Sequence, residues 1–248
     1  MASATIQAPE APEPVNAIGR IFGVLFSPKA TFESIARRPT WFPPLILIAV
    51  LALGVVGLFG YRVGWRSFFE KQMASNSRVQ QMTPEQQERA LELQLKYAPP
   101  FVYGIAAISP AIITLIVAAV FLGLFNGLFN AKLGFKMSLG IAAHAWMPAL
   151  ISYLLAALVI FLKDPSTVDL QNLVASNASI FLSQDSAKWL FALLKSIDLF
   201  TFWIMILLAI GYSTAAPKKL SFGKAFVSVF VVWFLVVLVV VGFTAAFS

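Results

Sequence analysis

The chain has 248 residues, 59% of them hydrophobic and only 12% charged, with a mean hydropathy of +0.83. Soluble domains carry about 45–50% apolar and about 25% charged residues, so this composition excludes an ordinary water-soluble domain and makes lipid the solvent. The absence of cysteine and the single histidine exclude disulfides, thiolate metal sites and multi-histidine metal sites.

Residues 1–17 are rich in Ala, Pro and Glu up to Val15 and carry no apolar period, so they read as a disordered tail with no recognisable signal peptide. From Ile18 a helical face appears through Ile21, Phe22, Leu25 and Phe26. Ser27-Pro28 interrupts it and starts a second short helix, with proline at the first helical position. Arg20, Lys29, Arg37 and Arg38 lie on these two segments. Short, amphipathic and basic segments before a span are expected to lie in the headgroup plane, with docking of a partner helix as the functional alternative.

The first span is expected at about 42–61, opened by Trp41-Phe42-Pro43-Pro44. Gly54, Gly57, Gly60 and Gly64 fall at three- and four-residue steps and let another helix approach, either within the protein or from a second copy. Residues 62–99 read as an extracytoplasmic helical hairpin. Thr83-Pro84-Glu85-Gln86 is a capping-box start for its second arm, and Pro99-Pro100 is its expected end. Further spans are expected at about 101–125, 139–162, 196–214 and 222–247, with Pro110 and Pro148 kinking the second and third.

Five spans place the termini on opposite sides. With the N-terminus inside, basic residues divide nine to nine between the faces. The short connections 126–138 and 215–224 break the tie, because they hold five lysines and no acid. Short loops and span flanks carry most of the topological weight, so the N-terminus is expected in the cytoplasm and the C-terminus outside. The net charge of +7 is distributed between apolar runs rather than on one soluble face. It points to anionic lipid headgroups and not to nucleic acid.

Few residues carry candidate chemistry. Asp198 begins the run IDLFTFWIMILLAIGYS, and Leu199 to Ala216 already covers about 27 Å at 1.5 Å per residue. Asp198 therefore reads as an outer-boundary carboxylate facing the positive end of its own helix near Lys195, with a buried polar contact or proton site as the alternative. His144 reads as a hydrogen-bonded packing residue rather than a relay, too distant from Asp198 for an acid–base pair. Trp203 and Tyr212 are candidate anchors of the bundle core. Asn126 and Asn130 stand at i, i+4 and suit either a bond across helices or, for Asn126 or Gly127, a helix cap. No HExxH, GxSxG or Walker-A pattern occurs, and no intramembrane carboxylate pair, so neither an enzyme nor a cofactor is expected.

The lead-in SPKATFESIARRP, the segment FNAKLGFKMSLGIAAHAWMPALI, and IDLFTFWIMILLAIGYS followed by a short basic turn and a last span together resemble the prokaryotic branch of the Yip (Ypt-interacting protein) domain family. The resemblance covers about residues 18–247. It implies an all-α integral membrane protein, a five-span helix bundle with interfacial N-terminal helices, in the prokaryotic inner membrane. Eukaryotic relatives are associated with Rab-type GTPases and membrane shaping through a DLYGP-like motif. That motif is missing here, so GTPase binding does not carry over. What remains is a membrane-organising or partner-binding scaffold, contacting other membrane proteins or itself. The alternative is a small transporter or channel component, favoured by the proline-interrupted spans.

Overall fold

Runs of Leu, Ile, Val and Phe without polar breaks leave the backbone one local way to satisfy its own N–H and C=O groups in lipid, the α-helix. The computed structural model describes residues 16–74, 76–168, 173–183 and 186–247, and among them there is no β-strand. The expected tail falls almost wholly on residues 1–15, outside the described residues.

Asn16 caps the first helix by accepting from the Gly19 N–H, and α1 runs Ala17–Phe26. α2, Pro28–Arg37, starts on its proline as the Ser-Pro step implies. α3 spans Phe42–Arg62. α4 (Trp65–Ala74) and the single turn α5 (Ser77–Gln80) then fold back against α6, Pro84–Phe129. α7 (Phe135–Ala145) and α8 (Pro148–Leu162) form one apolar stretch broken at Trp146-Met147. α9 (Lys188–Ser196), α10 (Leu199–Ala215) and α11 (Phe222–Ala246) complete the chain. Among the described residues four stretches are long and apolar enough to cross a membrane: Phe42–Arg62, Pro84–Phe129, Phe135–Leu162 and Phe222–Ala246. α10 is a shorter apolar helix of 17 residues.

One expectation is overturned. Pro99-Pro100 does not end a helix; α6 runs unbroken for 46 residues through Pro99, Pro100 and Pro110. The capping box at its start does form, with Thr83 and Gln86 each bonding the other's backbone N–H. Each proline frees the carbonyl four residues back. For Pro99 and Pro100 these belong to half-buried Leu95 and exposed Lys96, outside the buried core, where a lost N–H costs least. The hairpin therefore has a second arm that continues directly into a span. Arg66 ties the two arms, reaching Glu70 at 3.2 Å and Glu88 at 3.3 Å.

α7 is the inner element. Every residue from Ser138 to Ala145 is buried, and α6, α10, α2, α1 and α3 pack around it. Small residues permit this crowding. A Cβ on Gly140 would stand 3.1 Å from the Thr40 carbonyl oxygen. α11 lies outermost, against α10 and α9, with Val227, Phe234, Val239 and Phe243 exposed.

Candidate functional site

Polar side chains inside an apolar bundle are few, and each needs a partner. The tightest group lies where α6, α7 and α10 meet. Tyr212 is fully buried between the Phe121 and Phe125 rings, with centroids 5.8 and 4.7 Å away. Its hydroxyl meets Ser138 Oγ, which in turn donates to the Ala118 carbonyl at 2.7 Å. Three helices are thus joined by one chain of hydrogen bonds. Beside it, Gly211 lets α10 touch α7 and α2. Trp203 is half-buried against the same core.

Asp198 stands outside the helix it precedes, as the N-cap of α10. Its Oδ2 accepts from the Thr201 N–H at 2.8 Å and from Thr201 Oγ1 at 3.0 Å. Its Oδ1 accepts from Ser176 Oγ, while the Leu199 N–H donates to the Ser176 carbonyl. Asp198 therefore clasps the 176–178 segment to the head of α10. Lys195 makes no ion pair with it among the described residues; its ammonium lies over the Phe191 ring. Removing the cap in Asp198→Ala is expected to cost about 1 kcal/mol, and Asp198→Asn less, because the amide oxygen still accepts. Thermal unfolding in detergent with His144→Ala as the second arm of a double-mutant cycle checks this. The two effects are expected to add within about 0.5 kcal/mol.

His144 is buried in α7, and its Nδ1 meets the Gly140 carbonyl one turn back at 2.9 Å. A carbonyl only accepts, so Nδ1 carries the proton. No hydrogen bond or ion pair joins His144 to Asp198. Asn126 clamps the turn after α6 from both sides, donating to the Leu133 carbonyl at 2.9 Å and accepting its N–H at 2.8 Å. Asn130 is the cap itself, in the left-handed region at φ 51°, where asparagine is tolerated better than most residues. Of the glycines in α3, Gly60 packs against Trp65 and Tyr103, whereas Gly54 and Gly57 meet nothing within 4 Å.

One residue was misplaced by sequence reasoning. Arg20 reads as a headgroup contact, yet it is buried. Its Nη1 donates to the Arg38 carbonyl at 2.8 Å and to Thr40 Oγ1 at 3.1 Å, and Nη2 donates to the Ser34 carbonyl at 3.3 Å. Burial first, and then the Arg38 charge, hold its pKa below the usual guanidinium value. The available signal was positional. Arg20 stands beside Ile21 and four residues before Val24, both buried, whereas Lys29, Arg37 and Arg38 are exposed.

A half-open cleft of about 100 Å³ lies where Pro110 of α6 faces the α7–α8 break, with Trp146, Tyr153 and Thr114 on its walls. That volume holds about three waters. The Trp146 indole N–H is buried without a partner. Among the described residues no group of three His, Cys, Asp or Glu is placed to hold a metal ion.

In comparisons with known proteins, a sequence model described as the Yip1 domain matches residues 22–243, nearly the whole chain. No curated protein matches. No solved structure matches either.

Proposed function

The chain belongs to the Yip1 domain family, and from that premise we propose that it is a non-enzymatic scaffold crossing the membrane five times, which organises membrane or binds partner proteins through its N-terminal helices. α1 carries this reading. It buries Arg20, Ile21 and Val24 against the bundle and turns Ile18, Phe22 and Phe26 outward, Phe26 being 82% exposed. An apolar stripe kept outward on a short helix at the end of a bundle suits the headgroup–acyl boundary or a partner helix. The fifth crossing is α10. Its 17 residues reach about 26 Å, close to the hydrocarbon thickness, and Asp198 lies just beyond them.

The same end of the bundle gathers the start of α3, the end of α6, the start of α7, the end of α10 and the start of α11. Its flanks hold Lys132, Lys136, Lys218, Lys219 and Lys224 together with the basic residues of α1 and α2. Lysine-rich short connections favour the cytoplasmic side, so this end and the N-terminus face the cytoplasm of a prokaryotic inner membrane, and the hairpin faces outward. Reporter fusions at Ser27 and after Phe247 are expected to report opposite sides; an external N-terminus reverses the assignment.

The scaffold reading is tested by cysteines introduced singly into this cysteine-free chain. Crosslinking in cells from position 22 or 26 is expected to capture one membrane protein reproducibly, and from exposed positions on α11 not to. Capture of nothing from α1 rejects the partner-binding role. The transporter alternative has one specific observation in its favour, the cleft beside Pro110 at the α7–α8 break, since a broken helix lining a cavity is a feature of transporter sites. Proton-linked flux in liposomes that disappears in Asp198→Asn favours it over the scaffold.

A further inference from the structure

A second and larger concavity lies at the lysine-rich end of the bundle. It measures about 790 Å³, within the about 300–1,000 Å³ typical of ligand sites, whereas the cleft beside Pro110 falls well below that range. Its floor is apolar, made by Ile210 near the end of α10, Leu220 in the following turn and Phe222 at the head of α11. Its rim is polar, made by Lys29 and Glu33 on α2 and by Thr214 on α10.

Three observations say what fits there. Lys29 and Glu33 are exposed, stand one helical turn apart, and form no ion pair with each other or with any described residue. Positions i and i+4 lie about 5–6 Å apart on a helix surface. The rim therefore presents a cation and an anion on one helix face that do not close on each other, open to the phosphate and the ammonium of one zwitterionic headgroup. Lys29 is also the second residue of α2, whose first N–H groups have no side-chain cap, so helix dipole and ammonium act on the same phosphate. The Thr214 hydroxyl has no partner among the described residues and adds a neutral donor. The floor, opening toward the exposed Phe222 ring, suits an acyl chain.

We propose that this groove holds one phosphatidylethanolamine molecule, its phosphate on Lys29 and Thr214, its ammonium on Glu33, and one acyl chain along Ile210, Leu220 and Phe222. An anionic lipid without the amine satisfies Lys29 but sets a second negative charge against Glu33. A choline headgroup offers no N–H to the carboxylate. This assignment deepens the proposed function by naming a lipid, and it rests on the placement of this end at a headgroup layer.

The test is lipid retention by the full chain, released from nanodiscs of equal phosphatidylethanolamine, phosphatidylcholine and phosphatidylglycerol and weighed by native mass spectrometry. The expected result is one ethanolamine lipid retained about five- to tenfold over choline, the scale of one charge-assisted hydrogen bond at a partly exposed site. Glu33→Gln is expected to bring that ratio to about one, and Lys29→Gln to lower retention of all three lipids. Both residues are exposed, so neither variant removes packing. Equal retention of ethanolamine and choline lipids overturns the assignment, as does preference for phosphatidylglycerol, which marks a general basic patch. A nanodisc presents the same lipids on both faces, so the result is independent of orientation, and failure of the scaffold reading appears only in the crosslinking.

Discussion

Gly211→Ala is expected to lower the stability of the bundle by about 2 kcal/mol and to loosen α2 from it. Helix propensity alone argues the opposite, since alanine is favoured over glycine by about 1 kcal/mol in a helix interior. Packing decides the sign. A Cβ at Gly211 would stand 2.5 Å from Ile141 Cγ2, 3.0 Å from Phe32 Cε1 and 3.2 Å from Phe32 Cδ1. Neither neighbour is a free end. Ile141 is β-branched and buried in α7, and Phe32 is buried on the inner face of α2. The added methyl therefore separates α10 from α7 or expels the Phe32 ring, which costs more than the propensity gain. Gly54→Ala is the control, because a Cβ there meets nothing within 4 Å. It is expected to be neutral or to stabilise by up to about 1 kcal/mol in the purified protein. Thermal unfolding in detergent measures both. Trypsin cleavage after Arg20, a buried site, reports whether α1 and α2 have come away. A Gly211→Ala protein as stable as the parent, with Arg20 still protected, contradicts the close approach.

The helices are legible in the sequence because lipid leaves little choice. An apolar run long enough to cross satisfies its own backbone, and the signals at its ends are local. Pro28 and the Thr83–Gln86 capping box each announce a helix start, and each helix begins there, whereas the helix expected from about 196 begins at Leu199, behind its Asp198 cap. Signals that depend on what lies across a gap are not legible. Pro99-Pro100 reads as a stop in any local account, yet α6 runs on through it, the carbonyls it frees belonging to half-buried Leu95 and exposed Lys96 rather than to the buried core. Tyr212 and Ser138 are 74 residues apart, and their bond depends on how α7 and α10 are rotated about their axes. Periodicity alone does not set that rotation where helices are apolar all round, as α3, α8, α10 and α11 nearly are. The glycines in α3 show the same limit. Spacing puts Gly54, Gly57 and Gly60 on related faces, and only Gly60 has a neighbour, because α4 turns Trp65 back over it.

Arg20→Met is expected to cost about 2–3 kcal/mol, although arginine at the end of a membrane bundle is ordinarily a surface residue. Methionine keeps an unbranched apolar stem and removes the guanidinium. The loss falls on three acceptors: the carbonyls of Ser34 and Arg38 and the hydroxyl of Thr40. The Arg38 carbonyl, at the C-cap of α2, has no later N–H to continue the helix, and the Ser34 carbonyl one turn earlier accepts only the Arg38 N–H besides. Arg20 thus closes α2 from a neighbouring helix and fixes the direction in which the chain enters α3. Buried hydrogen bonds to charged groups contribute about 1.5–3 kcal/mol, and acceptors left without a donor add a desolvation cost. Nε has no partner, so the gain from the guanidinium lies in its two terminal nitrogens. Arg20→Lys separates charge from geometry. A lysine keeps the charge but lacks the planar fork, so about half the stability is expected to return. If charge alone mattered, as for a headgroup contact, lysine would match arginine and methionine would change lipid binding rather than stability. Unfolding midpoints of the three proteins, together with tryptic cleavage at Lys29 and Arg37, separate the two. Stability following Arg > Lys > Met, with cleavage rising in the same order, identifies Arg20 as the clamp that holds the N-terminal helices on the bundle.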